Sequence, residues 1–294
     1  MIRTTVIIIG AGPAGIAAAV QLKRYGIDFL LFEKKSIGGL LRNANEVENY
    51  LGFPAGISGP KLTSLLEKHL HSLDIDVIFQ EVVSAVSRKD NFIVKTRQDE
   101  YQSEFLIIAS GTKPRMDDSV DIEAPVLEYI FYEIADAPLQ KIKEAVIIGS
   151  GDAAFDYALN LSRHGIKSKI FIRGKTCKAI PLLCQKAEKN ENIKVYYGQK
   201  LVKIKKNDIA ELIFQNNKGT ISVFSKCIFF AIGREPDISF AAEGILSSVT
   251  AHTNNEKIFL IGDVKNEIFR QVSIAAGDGI LTAMKIADKL KGKK

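Results

Sequence analysis

One local pattern occurs twice in this chain and limits its fold more than anything else in it. A β-branched run meets a glycine-rich turn, and an alanine-containing helix comes next. The first copy covers residues 5–23, with the run Val6-Ile7-Ile8-Ile9; the second covers residues 145–163, with the run Val146-Ile147-Ile148. A further strand is expected after each helix, over residues 28–33 and 169–173. Strands that alternate with helices in this way make parallel sheets with helices on their faces.

Between the copies the pattern predicts a helix near residues 59–73 and strands near 77–79, 92–97 and 105–109. After the second copy come strands near 194–197, 209–215 and 227–231. Residues 257–290 then read as one strand and one helix. A lone strand and helix cannot make a domain, so they must return to the first sheet. The expected fold class is therefore α/β, with two nested Rossmann-like dinucleotide-binding domains. Residues 1–112 and 237–294 form the first domain, and residues 113–236 are inserted into it. Both crossings hold glycine and proline, as linkers often do.

The chain's 294 residues are enough for two domains of ordinary size. The net charge is +6, gathered partly in Lys289, Lys291, Lys293 and Lys294 and partly over residues 200–206. No nucleic-acid motif accompanies it, so the excess reads as solvated surface or as attraction for an anionic cofactor or an acidic partner. No apolar run has the roughly 18 residues that a membrane span needs. Residues 1–5 lead into a strand without signal-peptide features, and a cytoplasmic location is expected. Cys177, Cys184 and Cys227 cannot all pair with one another and are read as thiols of a reducing compartment.

The first turn, Gly10-Ala11-Gly12-Pro13-Ala14-Gly15, is G-x-G-x-x-G. Its first glycine permits the tight turn, its second lets backbone approach a pyrophosphate, and its third lets helix and strand pack closely. The helix then presents free N–H groups to the phosphates. Glu33 ends the next strand at the expected distance, where a carboxylate accepts hydrogen bonds from a ribose diol. The second turn, Gly149-Ser150-Gly151-Asp152-Ala153-Ala154, is the G-x-G-x-x-A variant. The strand after it ends Ile172-Arg173-Gly174-Lys175-Thr176-Cys177-Lys178, with no carboxylate to repel a 2′-phosphate.

Five segments in order resemble the low-molecular-weight thioredoxin reductases, a class II branch of the FAD/NAD(P)-dependent pyridine nucleotide-disulfide oxidoreductases. Gly38-Gly39-Leu40-Leu41 with Glu46-Val47-Glu48-Asn49-Tyr50 is similar to that family's flavin-contacting stretch. Ala109-Ser110-Gly111 is similar to its crossover segment, and Gly262-Asp263 to the motif whose aspartate holds the ribityl chain. Arg270-Gln271-Val272, with Ala275-Ala276-Gly277-Asp278-Gly279, is similar to the segment at the flavin ring edge. The resemblance implies non-covalent FAD held by Gly10, Gly12, Pro13, Ala14, Gly15, Glu33, Lys34 and Val83, and by Gly38, Gly39, Leu40, Leu41, Asn49, Ala109, Ser110, Gly111, Gly262, Asp263, Arg270, Gln271 and Val272 of these segments. It also implies NADPH, less readily NADH, held by Gly149, Gly151, Asp152, Ala153, Ala154, Arg173, Lys178 and Gly233. In the family's phosphate-binding pattern Arg173 and Lys178 fall on the first and last basic residues, while Ile172 and Gly174 depart from it. A homodimer is implied as well, and the helix over residues 59–73, with Leu62, Leu65, Leu66, Leu70 and Leu73, is the candidate interface unless those leucines face the chain's own sheet.

One motif of the family is missing. Its redox pair C-x-x-C-D falls, by count from Gly149, on Tyr132-Glu133-Ile134-Ala135-Asp136, so neither thiol exists there. Asp136 keeps the motif's aspartate and is a tentative acid. Cys177 and Cys184 are seven apart, lack redox spacing and are read as structural or incidental. His69, His71, His164 and His252 have no metal-ligand spacing. The implied activity is an FAD-dependent NADPH oxidoreductase whose acceptor is a small redox protein, a quinone or another small molecule. A reductase of an external disulfide, or a flavin-binding regulatory protein with little turnover, fits the same residues.

Overall fold

The computed structural model describes residues 1–243, 245 and 256–292; His252, Lys293 and Lys294 lie outside the described residues. Contacts divide the chain into two units, one of Met1–Arg42, Glu48–Lys113 and Glu235–Lys294, the other of Asn43–Val47 and Pro114–Arg234.

The first unit begins with β1 (Ile2–Ile9), α1 (Pro13–Arg24) and β2 (Phe29–Phe32), then α2 (Gly59–Ser72), β3 (Val77–Ile78), β4 (Val82–Arg88), β5 (Asn91–Thr96) and β6 (Glu100–Ile108). Its strands run in the order β3-β2-β1-β6-β5-β4. β1 is parallel to β2 on one edge and to β6 on the other. Val6, Ile7, Ile8, Leu106, Ile107 and Ile108 are all wholly buried. Strands covered on both faces need such unbroken apolar runs. Each of these side chains contributes about 1.5–3 kcal/mol by leaving water. Proline at the first turn of α1 and Lys23 and Arg24 in its last turn suit the two ends of a helix. β4 and β5 fold back antiparallel on the first half of β6.

The second unit holds β8 (Asp121–Ile122), β9 (Ile130–Phe131), β10 (Glu144–Ile148), α3 (Asp152–Arg163), β11 (Lys167–Ile172), α4 (Pro181–Glu188), β12 (Ile193–Tyr197), β13 (Lys200–Lys206), β14 (Ala210–Asn216), β15 (Gly219–Ser225) and β16 (Ile228–Phe230). A parallel sheet, ordered β12-β11-β10-β16-β9, lies between α3 with α4 on one face and the smaller sheet β15-β14-β13-β8 on the other. The crossings are β7 (Thr112–Pro114) and β17 (Arg234–Pro236). The chain then ends in β18 (Ile258–Leu260), parallel to Leu106, Ile107 and Ile108 of β6, and α5 (Val272–Lys291). α5 lies so close to α1 that a methyl group added at Gly279 would meet the Ala14 carbonyl oxygen and come within 2.8 Å of the Ala18 nitrogen.

Two expectations change here. On α2, Leu62 and Leu70 are buried and Leu66 and Leu73 pack against the core of their own unit, which leaves Leu65 exposed. The amphipathic face of α2 is thus consumed by its own sheet. α5 also carries exposed apolar side chains, of which Ile274, Leu281 and Met284 share a face. Second, Cys177 and Cys184 are not free thiols but a disulfide. The chain turns back between them, because Pro181 starts α4 and brings Cys184, in its first turn, beside Cys177. Cys227 is the buried free thiol, and burial pushes its pKa up to about 12.

Candidate functional site

The two glycine turns share one plan. In the first unit Gly10 has φ of 107°, and a methyl group added there would strike the Ala109 carbonyl. A methyl group at Gly15 would strike the Gly10 carbonyl oxygen. Gly12, by contrast, has φ of −77°, and a methyl group there meets nothing within 4 Å. The outer two glycines serve packing, and the middle one borders open space at the N-terminus of α1, where N–H groups lack helical partners. In the second unit Gly149 has φ of 155° and presses on the Ala231 carbonyl, while Gly151 again borders open space at the N-terminus of α3. Ala154, one turn on, is wholly buried where a third glycine would otherwise pack.

Around the first turn the chain gathers most of the residues expected there. Ala11 N–H donates to Glu33 Oε2 at 2.9 Å, and Lys35 and Ser36 N–H groups donate to its Oε1. Each carboxylate oxygen keeps acceptor capacity for a diol. Gly38 N–H donates to the Ala11 carbonyl at 2.8 Å, and a methyl group at Gly39 would lie 3.6 Å from Gly12 Cα. Leu40 and Leu41 come next in a short 3₁₀ turn, with Leu41 buried. Gly262 N–H donates to Asp278 Oδ2, and a methyl group at Gly262 would lie 2.8 Å from Ala14 Cβ. Half-buried Asp263 is next in chain. Asn49 Nδ2 donates to Gln271 Oε1 at 2.9 Å, at the N-terminus of α5, so two residues 222 apart in sequence meet; Arg270 and Val272 flank Gln271. Ala109 N–H donates to the Ile9 carbonyl, and Ser110 Oγ donates to the Asp237 carbonyl. Lys34 is ion-paired with Asp237 at 2.5 Å. Val83 stands on β4 at 42% exposure, in the stretch where that strand's register shifts.

FAD fits this cradle on the structure's own terms. The open space over Gly12 is what a pyrophosphate requires. Buried Thr63 Oγ1 has no hydrogen-bond partner among the described residues, and a methyl group at Gly38 would lie 2.7 Å from it. A buried hydroxyl left so is expected to gain a polar partner.

Around the second turn, Arg173, Lys175 and Lys178 are all exposed just past β11. Lys178 N–H donates to the Ser150 carbonyl at 2.8 Å, and Ile180 N–H donates to Asp152 Oδ1 at 2.9 Å. Ala153 is exposed on the first turn of α3, and Gly233 has φ of 116°.

Where the family's thiols fall, Tyr132 hydroxyl lies 3.1 Å from Met116 Sδ and Ala135 N–H donates to Asn43 Oδ1. Asp136 is exposed on a 3₁₀ turn. Between them Glu133 is partly buried and makes a network that sequence reading missed. It pairs with Arg234 at 2.5 Å and accepts from Tyr157 hydroxyl and Asn43 Nδ2. Burial raises its pKa, against the pull of Arg234. Asp156, one residue before Tyr157, accepts from Asn45 N–H at 2.9 Å, and burial lifts its pKa to about 6. The only signal in sequence was a glutamate inside the pentapeptide where the family's thiols fall.

The family model for pyridine nucleotide-disulphide oxidoreductases matches residues 4–279. The chain belongs to that family. Thioredoxin reductase of Chlamydia pneumoniae is 29% identical over 97% of this chain and 98% of its own length. Thioredoxin reductase of Ureaplasma parvum is 30% identical over 95% and 94%. Among solved structures, Lactococcus lactis thioredoxin reductase in its FR conformation superposes with a TM-score of 0.83 at 28% identity, covering 97% of this chain and 99% of that one. This member of the family is thus an FAD-dependent NAD(P)H oxidoreductase like the thioredoxin reductases, with their two Rossmann-like domains. No described helix is long and apolar enough to cross a membrane.

Proposed function

We propose that this chain is an NADPH-dependent flavoprotein reductase whose acceptor meets the flavin without a resident dithiol in between. The observation that carries the reading is the segment Tyr132-Glu133-Ile134-Ala135-Asp136. It falls in the place of the family's redox pair but has neither sulfur, and its second residue, Glu133, is ion-paired with Arg234. Both glycine turns meanwhile keep the open middle glycine that a dinucleotide needs. FAD, when bound, supplies the two-electron carrier between nicotinamide and acceptor; the chain's own residues bind and orient.

In this reading Gly10, Gly12, Gly15 and Glu33 hold the adenosine and pyrophosphate half of FAD. Gly38, Gly39, Asn49, Asp263 and Gln271 hold the flavin half, and the N-terminus of α5 favours negative charge near Gln271. Gly151 and the start of α3 hold the second pyrophosphate, and Arg173 and Lys178 hold a 2′-phosphate through charge-assisted hydrogen bonds. Asp136, exposed and in the place of the family motif's aspartate, is the carboxylate of its segment that exchanges protons with an acceptor. The acceptor is a small redox protein, a quinone or another small molecule. The protein works as a cytoplasmic homodimer.

NADPH oxidation by the FAD-loaded protein is measured with thioredoxin, ferredoxin- and flavodoxin-type proteins, quinones and low-molecular-weight disulfides. The expected result is rapid bleaching of the flavin by NADPH, turnover with at least one acceptor of the non-disulfide classes, and none with thioredoxin. Turnover with thioredoxin alone would overturn the reading.

A further inference from the structure

The disulfide between Cys177 and Cys184 belongs to none of the machinery above, yet it frames part of it. The bond closes a short loop, with the two cysteines seven positions apart and each half-buried. Both pack with Ala179 and Leu183 against the core under α3. Two backbone groups inside the loop are hydrogen-bonded to the second glycine turn: Lys178 N–H to the Ser150 carbonyl, and Ile180 N–H to Asp152 Oδ1. Lys178 is also one of the three cations exposed past β11. The covalent ring thus fixes the main chain of a phosphate-binding candidate against the turn that would bind the same nucleotide.

We propose that Cys177–Cys184 is a reversible redox site that sets how tightly the second glycine turn holds a pyridine nucleotide. This rests on reading that turn as the NADPH site. In the reducing direction an external dithiol attacks the bond through a mixed disulfide. The S–S bond breaks, the reagent leaves as its own disulfide, and Cys177 and Cys184 each gain an electron and a proton. An external disulfide reverses the exchange. With the bond open, residues 178–180 regain conformational freedom that nucleotide binding must again remove, so affinity falls. Lys178, one of the two cations read as holding a 2′-phosphate, lies inside the loop, so the loss is larger for a phosphorylated nucleotide than for its unphosphorylated counterpart.

The test uses FAD-loaded protein in three forms: disulfide intact, reduced with dithiothreitol and desalted without oxygen, and with Cys177→Ser and Cys184→Ser combined. Thiol titration in denaturant is expected to find one thiol in the first form and three in the second. NADP⁺ and NAD⁺, which leave the flavin oxidised, are titrated by calorimetry, and hydrogen–deuterium exchange is followed over residues 178–180. Reduction and the double substitution are expected to weaken NADP⁺ binding at least three-fold, NAD⁺ less, and to speed exchange. Reoxidation of the parent restores both. Flavin absorbance shows that each form remains folded. Equal NADP⁺ affinity and equal exchange in the two redox states overturn the proposal, as do three titratable thiols that no disulfide reagent can pair. If NADP⁺ binds in neither state, the nucleotide reading has failed, and the exchange rates alone then show whether the loop answers to its bond.

Discussion

Gly12 and Gly15 are three residues apart and carry the same side chain, yet their substitutions separate ligand binding from folding. Gly15→Ala puts a methyl group into the Gly10 carbonyl, at a site where neither backbone can retreat. Gly12→Ala meets nothing within 4 Å, and its φ of −77° suits alanine. The second variant should therefore express as folded protein with unchanged helix content but little bound flavin, and the first should lose fold and flavin together. Absorbance against circular dichroism checks this; flavin retained at parent levels in Gly12→Ala would contradict it. Asp156 makes a second prediction. Its folded pKa of about 6 stands above the ordinary aspartate value of 3.8, so the folded state holds the extra proton between those limits. Stability is therefore lost as pH rises from about 4 to 6 and is level above that window. Asp156→Asn keeps an acceptor for Asn45 N–H and removes the buried charge. It should be more stable than the parent at pH 7 by on the order of 1–2 kcal/mol, with the gap shrinking toward pH 4. Denaturant midpoints at the two pH values decide it.

At the scale of elements, the helix faces sort themselves by what covers them. α2 spends Leu62, Leu66 and Leu70 on its own unit and leaves only Leu65 of its leucines exposed, while α5 leaves Ile274, Leu281 and Met284 in solvent at 41%, 51% and 47% exposure. Exposed apolar side chains aligned on one helix face make that face the candidate association surface to test. If the proposed homodimer uses α5, Leu281→Glu should shift the light-scattering mass toward the chain's 32.4 kDa while the protein stays folded. Leu66→Glu should instead lower thermal stability. A dimer indifferent to Leu281→Glu would remove α5 from the interface. The elements also show which parts of the fold were legible in sequence. Both glycine turns and their flanking strands were readable, because a steric demand for glycine leaves few residue choices. β4 and β13 were not, and each carries a register shift, between Val82 and Ser84 and between Leu201 and Lys203. The shift puts buried Val82 and Ala85 three apart, and likewise Leu201 and Ile204, which hides the period of two that marks a strand. β13 read instead as a run of lysines. In the candidate site, the Asn49–Gln271 contact and the Glu133 network were out of reach for a different reason, since each joins positions that only the folded chain brings together. The disulfide needed knowledge of where α4 begins.

At the scale of the molecule, two glycine turns of one design differ in the residue that closes the next strand, and in the proposed reading that difference separates their ligands. The first strand pair ends in buried Glu33 and the second in exposed Arg173. NADPH should therefore reduce the flavin at lower concentration than NADH, and Arg173→Glu should flatten or reverse that preference, because it puts a carboxylate where the 2′-phosphate is expected. Stopped-flow bleaching of the flavin measures both; equal dependence on the two nucleotides in the parent would refute the basic-pocket assignment. The return of β18 to β6 carries a consequence for synthesis. Leu106, Ile107 and Ile108 leave the ribosome about 150 residues before their partners Ile258, Phe259 and Leu260. At roughly 5–20 residues per second, that strand edge waits on the order of ten seconds or more for its neighbour. The inserted unit is complete at Arg234, before that neighbour is made, so the unit that begins first is the unit that finishes last, and a released chain truncated near residue 240 should hold a protease-resistant second unit while its first unit stays open to protease.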